Sequence, residues 1–129
     1  MRSIVDEVAK RLIKRDIFAI KRYRAVPGTR SYRRYGTLAG HDNWFVEYNE
    51  QNAARFRESL LWVGGRPPVG MARESSPDTE ADPPRSYEIG ERVFFPLDVP
   101  PEAPREVVVQ SLVAQVEVVA ELLSKSNRS

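Results

Sequence analysis

The sequence predicts an α/β domain with a mixed central sheet, in the order α-β-β-β-α-β followed by an extra strand and a long C-terminal helix. Apolar residues recur at helical spacing near both ends of the chain. Between these ends, short segments rich in strand formers alternate with turn-forming pairs. With 129 residues and 41% hydrophobic side chains, the chain is long enough for one domain over 1–129.

The first helix is predicted over 3–15, where aliphatic residues form one stripe and charged residues fill the rest. The segment 17–26 is rich in strand formers and stops at Pro27-Gly28, a pair suited to a tight turn. A strand is therefore expected after the first helix.

A short strand over 35–39, a turn over 40–43 and a strand over 44–48 are predicted next. Alternation along the last strand sorts its side chains onto two faces of the sheet. One face receives Trp44, Val46 and Tyr48, and the other receives Phe45 and Glu47.

Asn49 is a suitable N-cap for a second helix, predicted over 50–63 and terminated by Gly64-Gly65. A further short strand is expected over 67–71. The segment 72–86 has three prolines and no large apolar residue, which predicts a mobile loop.

The C-terminal region 87–129 is expected to contribute a strand over 92–97 and a helix over 105–124. Pro96 favours an edge position for this strand, because proline donates no ladder hydrogen bond. The helix has more apolar residues than one face needs. Its main stripe is Val108, Leu112, Val116, Val119 and Leu123, and Val107 and Val118 fall outside it. The helix therefore either crosses the core or pairs with a second copy, and a homodimer through this helix is expected.

Charge is unevenly divided along the chain. Residues 1–40 carry 11 Lys and Arg against 3 Asp and Glu, whereas residues 41–129 carry 9 against 15. A local surface can therefore attract phosphate although the whole chain is nearly neutral. The alternative is that the acidic half folds back onto the basic half.

The basic segment 21–35 interleaves cations with tyrosines, which together supply phosphate contacts and stacking faces. The candidate nucleic-acid-binding residues are Lys21, Arg22, Arg24, Arg30, Tyr32, Arg33 and Arg34. Two alternatives remain for this segment: a solvated hairpin whose arginine stems cover apolar surface, and a basic face for an acidic protein partner.

Composition excludes several function classes. The chain has no cysteine, so it has neither a disulfide framework nor a thiolate zinc site. A single histidine, His41 in a turn-like segment, predicts no transition-metal site. No apolar run approaches 18 residues, so a soluble, cytoplasmic protein without a membrane partner is expected.

Local features of 4–71 are similar to the PD-(D/E)xK nuclease-like superfamily, especially the archaeal Holliday-junction resolvases. They are Glu7 in the first helix, the strand FAIKR, the strand WFVEYN, and the stretch QNAARFRESLLWVGGRPPV. The resemblance implies a nuclease-like core over 4–71 and DNA as the ligand. In that family an Asp and a Glu hold a divalent metal, and a Lys helps to activate the attacking water.

Two of these three groups differ in this chain. Gly36 stands at the family's Asp position and Asn49 at its Lys position, while Glu47 matches the Glu. Only weak catalytic candidates remain, namely Glu7, Asp42 and Glu47, so no metal site and no cofactor are assigned. Mg²⁺ would be required only if these carboxylates formed an active site.

The sequence therefore predicts a DNA-binding protein with a nuclease-like fold that lacks robust cleavage activity. One alternative is a protein–protein interaction module with a basic face. The other is an active, metal-dependent DNA endonuclease.

Overall fold

The computed structural model describes residues 2–19, 25–27, 31–68 and 85–126. The elements in chain order are α1 (Arg2–Lys14), β1 (Phe18–Ala19), β2 (Ala25–Pro27), β3 (Ser31–Leu38), β4 (His41–Asn49), α2 (Glu50–Phe56), β5 (Leu61–Gly65), β6 (Tyr87–Ile89), β7 (Arg92–Leu97) and α3 (Arg105–Ser126). The α/β class and the long C-terminal helix are confirmed. The turn expected at Gly28, most of the strand expected over 67–71, and residues 72–84 of the expected mobile loop lie outside the described residues.

The strands form one sheet in the order β1-β3-β4-β5-β7-β6, and β2 also pairs with β3. Every described pairing is antiparallel. The strand expected over 17–26 corresponds to β1 and β2, which both lie beside β3 at one end of this order.

The hairpin between β3 and β4 is tighter than the sequence indicates. Its turn is Ala39-Gly40, both with positive φ (50° and 85°), and His41 already pairs with Leu38. This geometry is that of a two-residue turn that matches the twist of antiparallel strands. The turn expected over 40–43 was wrong, because β4 already begins at His41. The strand start expected at residue 35 was also wrong, because β3 begins at Ser31.

The second helix is much shorter than the predicted 50–63. Asn49 is its N-cap, as predicted, and accepts a hydrogen bond from the backbone N–H of Asn52. The helix ends at Phe56, and Arg57 adopts the left-handed conformation that closes its last turn.

Strand β5 occupies the place where the end of that helix was expected. Its five residues are all buried, and a fully buried strand reads as a continuous apolar run, which the sequence does not separate from helix. Gly64 and Gly65 belong to this strand. A Cβ at Gly65 would lie 2.5 Å from the Trp44 ring, so Trp44 requires this glycine.

One face of the sheet packs against α1 and α3 and contains most of the core. We call it the helix-covered face. Trp44, Val46, Leu61 and Val63 point to it from β4 and β5. From α3 it receives the predicted stripe, Val108, Leu112, Val116, Val119 and Leu123, all buried. The side-chain alternation predicted for β4 is confirmed.

The opposite face, which we call the aromatic face, has a core of Phe45, Trp62 and Phe94. Phe56 of α2 packs against this core and stacks on Tyr87, with ring centroids 4.3 Å apart. A smaller cluster of rings therefore takes the place of the two helices.

The strand predicted over 92–97 is β7, which lies between β5 and β6 and is not at the edge of the strand order. However, β6 pairs only with Arg92, Val93 and Phe94. Pro96 lies beyond the end of β6, which explains how a proline is tolerated in this strand.

Over Arg105–Lys125, α3 is long and apolar enough to cross a membrane by length and composition alone, with a mean hydropathy of 1.6. Because one side of α3 supplies the core of the helix-covered face, packing onto the sheet accounts for much of this hydropathy.

Candidate functional site

The side chain of Glu47 lies on the aromatic face, fully buried near the C-terminal end of β4. Arg33 is its partner in register on β3, and its Nε donates a hydrogen bond of 2.7 Å to Glu47 Oε2. Asn49 Nδ2 donates to Oε1 at 3.3 Å. Both carboxylate oxygens are therefore engaged by neighbouring side chains of the protein.

Arg33 is itself held on three sides. Its Nη1 donates to the hydroxyl of Tyr35 at 2.7 Å, and its guanidinium lies 3.9 Å from the ring centroid of Phe45. The side chain is only 17% exposed. An arginine in such a setting stabilises the sheet by pairing with Glu47 and stacking on the ring.

Burial raises the pKa of Glu47 above its ordinary value, and Arg33 and Asn49 oppose this shift. For Arg33, burial lowers the pKa, but its interactions with Glu47 and, to a smaller extent, with Tyr35 more than offset that, so its pKa is raised. Removing either partner would leave the other charge in a poorly solvated place.

The two positions that depart from the nuclease pattern have structural roles. A Cβ at Gly36 would lie 2.5 Å from the Phe18 ring and 2.7 Å from the carbonyl oxygen of Ala19. A carboxylate at position 36 would therefore collide with β1. Asn49, at the lysine position, is the N-cap of α2 and a donor to Glu47.

The three acidic candidates are not assembled into one site. Glu7 lies on α1, which packs on the helix-covered face, and it accepts a hydrogen bond from Arg11. Glu47 lies on the opposite face, and the exposed Asp42 accepts a hydrogen bond from Thr37 near the β3–β4 turn. Within 2–19, 25–27, 31–68 and 85–126, no group of three His, Cys, Asp or Glu side chains could hold a metal ion.

The described part of the basic segment is divided between the two faces of β3. Arg33 points to the aromatic face, whereas Tyr32 and Arg34 point to α1 and are each 8% exposed. The Tyr32 hydroxyl donates to Asp6 at 2.7 Å, and Arg34 Nε lies 3.3 Å from the same carboxylate. These three side chains therefore contact the protein itself. The other four candidates, Lys21, Arg22, Arg24 and Arg30, lie outside the described residues.

Two lysines of α1 that sequence analysis did not single out differ from the neighbouring arginines. Lys10 and Lys14 are exposed, and neither forms an ion pair with a described residue. In contrast, Arg11 pairs with Glu7 and Glu106, and Arg15 pairs with Glu117 on α3. Asp6 of the same helix contacts Tyr32 and Arg34 of β3, which the sequence does not reveal.

His41 opens β4 and its Nε2 lies 3.2 Å from the carbonyl oxygen of Leu123. This contact fastens the end of α3 to the β3–β4 hairpin. It gives the single histidine of the chain a structural role.

No protein-family model, no curated protein and no solved structure matches this chain. The resemblance of 4–71 to the PD-(D/E)xK nucleases therefore stays a prediction.

Proposed function

We propose that this chain is a non-catalytic DNA-binding domain, which holds phosphate groups on the side formed by α1 and the β1–β2 edge of the sheet. The observation that carries the proposal is the pair of exposed lysines on α1, Lys10 and Lys14. Arg11 of α1 and Arg15, which follows the helix, pair with carboxylates, whereas these two lysines have no such partner among the described residues. Cations left accessible in this way are what phosphate binding needs.

The remaining candidates are connected to the same edge by the chain. Arg24 directly precedes β2 and Arg30 directly precedes β3, and both strands lie at that end of the sheet. Lys21 and Arg22 belong to the short segment between β1 and β2. Together with the two lysines they make six cations that could contribute phosphate contacts.

Binding without cleavage is supported by the surroundings of Glu47. Its carboxylate is buried and held by Arg33 and Asn49, and Phe18 covers Gly36, the position that an aspartate would need. A metal ion requires accessible carboxylate oxygens. The active-endonuclease alternative is therefore less well supported than binding alone.

The test is fluorescence anisotropy with duplex, single-stranded and four-way-junction DNA over a series of salt concentrations. Four to six phosphate contacts predict a slope of roughly −3.5 to −5.5 in the log–log plot of affinity against salt. The double variants Lys10→Ala/Lys14→Ala and Arg24→Ala/Arg30→Ala should each reduce the slope by up to about 2. Incubation with Mg²⁺ or Mn²⁺ should leave the DNA uncut.

The matched control is Arg92→Ala, which removes an exposed cation on the aromatic face. It should leave the salt slope unchanged. Affinity no tighter than about 10⁻⁴ M near physiological salt would overturn the proposal and favour an acidic protein partner for the same lysines. Multiple-turnover cutting that disappears in Glu47→Ala would instead favour the active nuclease.

A further inference from the structure

The outer side of α3 carries an apolar stripe that faces solvent. Val107 is 47% exposed and Val118 is 52% exposed, more than any other large hydrophobic residue in the described part of the chain. Eleven residues correspond to three helical turns plus about 20°, so the two valines lie on the same side of the helix. Between them on that side are Ser111 and Ala114. We call these four residues the α3 stripe.

The packing of this chain does not account for the α3 stripe. The core side of α3 already supplies eight apolar residues to the helix-covered face. A third side contacts α1 through the ion pairs of Glu106 and Glu117. Single exposed valines are ordinary, but two in line with small residues between them form a surface into which another helix can fit.

We propose that the α3 stripe is the interface of a homodimer, in which the α3 helices of two copies pack antiparallel about a two-fold axis. The axis passes between Leu112 and Val113, halfway along the stripe. This pairing places Val107 against the partner's Val118, and Ser111 against the partner's Ala114. The stripe is therefore complementary to itself, which a two-fold interface requires. The proposal goes beyond DNA binding and does not depend on it.

The residues at the crossing suit close packing. Ser111 and Ala114 are small, and helices with small residues at their contact approach to about 8 Å. The pairing thus has a valine–valine contact at each end and small side chains at its centre.

Charge at the ends of α3 favours the antiparallel orientation. Lys125 is exposed near the C-terminal end, and its nearest carboxylate, Glu121, is 3.9 Å away. Glu102 lies in the exposed turn before α3 and has no ion pair within the described ranges. An antiparallel pair brings Lys125 towards the partner's Glu102 at both ends, whereas a parallel pair would place like charges together.

The expected dimer is weak. One helix from each copy buries less surface than the roughly 1,600 Å² of a standard protein interface. A dissociation constant in the micromolar range is therefore expected, and concentrations of about 1 to 300 µM span the transition.

The test is sedimentation equilibrium of the full chain over that range. The wild type should pass from monomer to dimer, and Val118→Glu should weaken dimerisation at least about tenfold, since each two-fold interface contains the changed site twice. Val107→Glu should have the same effect. The matched control is Ile13→Glu, which makes the same change at another exposed aliphatic residue, on α1. It should leave dimerisation unchanged.

A charge-swap pair tests the register. In the antiparallel pairing, Val107→Lys/Val118→Glu places the new lysine of one copy against the new glutamate of the other, so this variant should dimerise. Val107→Glu/Val118→Glu places like charges together and should stay monomeric. Because both sites are exposed in the monomer, circular dichroism and urea unfolding should show both variants folded.

Three outcomes would overturn the proposal. The wild type could stay monomeric at 300 µM, Val118→Glu could dimerise as well as the wild type, or both double variants could be monomers. Cosedimentation of a monomeric wild type with phosphatidylcholine vesicles, lost in Val118→Glu, would assign the α3 stripe to a lipid surface instead. A failure of DNA binding would leave these results unaffected.

Discussion

The helix-covered face of the sheet is packed with aliphatic side chains from α1 and α3, whereas the aromatic face holds three buried rings beside the Arg33–Glu47 ion pair. The first face is stabilised by the burial of apolar surface against two helices. This hydrophobic stabilisation does not depend on the direction of individual contacts. The second depends on a directional contact between two charges as well.

The two faces also differ in the contacts that consecutive residues of β3 make. Arg33 and Arg34 are consecutive, and strand alternation sends Arg33 to Glu47 and Arg34 towards Asp6. In the sequence these two adjacent arginines resemble a phosphate-binding pair. In the structure, Arg33 links two strands of the sheet and Arg34 links the sheet to α1.

The largest effect is expected from breaking the buried ion pair. Glu47→Ala or Arg33→Ala should each lower the free energy of unfolding by about 3–5 kcal/mol, because each leaves an unpaired charge in the interior. Urea unfolding measures this. The control is Glu91→Ala, whose partner Arg66 is exposed, and it should change stability by no more than about 1 kcal/mol.

The paired replacement Arg33→Met/Glu47→Leu sharpens the same test. Replacing both charges by apolar side chains should be far less destabilising than either alanine variant. If the paired variant is as unstable as the single ones, the ring packing and not the charge pair holds the aromatic face together.

A smaller but still large effect is expected at Gly36, on the helix-covered face. Gly36→Asp should destabilise by at least about 1–3 kcal/mol, because its Cβ collides with the Phe18 ring and with the carbonyl oxygen of Ala19. Cleavage assays with Mg²⁺ should show no gained activity. Gly90→Asp is the control, since nothing lies within 4 Å of its Cβ and only its positive φ opposes the change. A stable, metal-binding Gly36→Asp protein would contradict the covering role of Phe18.

Loss of the N-cap should have a moderate effect. Asn49→Ala removes the acceptor for the backbone N–H of Asn52, which costs about 1 kcal/mol at a helix N-terminus, and also a donor to Glu47. Asn49→Asp keeps the cap acceptor but removes the donor to Glu47. Because Asn49→Asp also sets a second carboxylate against that of Glu47, thermal unfolding should show both variants to be less stable than the wild type. An unchanged melting temperature in Asn49→Ala would contradict both roles.

The smallest effect concerns pH. Because burial raises the pKa of Glu47 in the folded state, the folded protein binds a proton at Glu47 more tightly than the unfolded chain does. This contribution to stability is fully present below the unfolded pKa, near 4.5, and is lost as pH rises through the folded pKa. The stability of wild type relative to Glu47→Gln should therefore fall as pH rises from about 4, measured by urea unfolding at each pH. A rising difference would show that Arg33 outweighs burial.

Several features of the fold follow from local sequence. The α1 and α3 helices, the cap at Asn49 and the alternation of Trp44 and Phe45 depend on spacing and on nearest neighbours, which the sequence displays directly. The stripe of α3 residues facing the core was identified for the same reason, as were Val107 and Val118 outside it.

The wrong predictions concern elements whose structure depends on contacts between residues that are far apart in the sequence. Nothing local separates the buried strand Leu61–Gly65 from the end of a helix, and only pairing with β4 and β7 makes it a strand. Likewise, Gly65 resembles a helix terminator in the sequence, whereas in the structure it leaves room for the Trp44 ring. Strand pairing is a contact between remote segments, so its outcome is not written in a short window of sequence.

The sequence by itself determined the helices at both ends, the α2 cap and the order of the faces along β4, because each depends on residues a few positions apart. Only the tertiary structure decided that Arg33 meets Glu47, that Asp6 turns to Tyr32 and Arg34, and that Gly36 lies under Phe18. The register between strands and the packing of α1 on the sheet fix these contacts. Arg33 and Arg34 therefore predict a phosphate surface from the sequence alone, but they form ion pairs inside the protein once the sheet has formed.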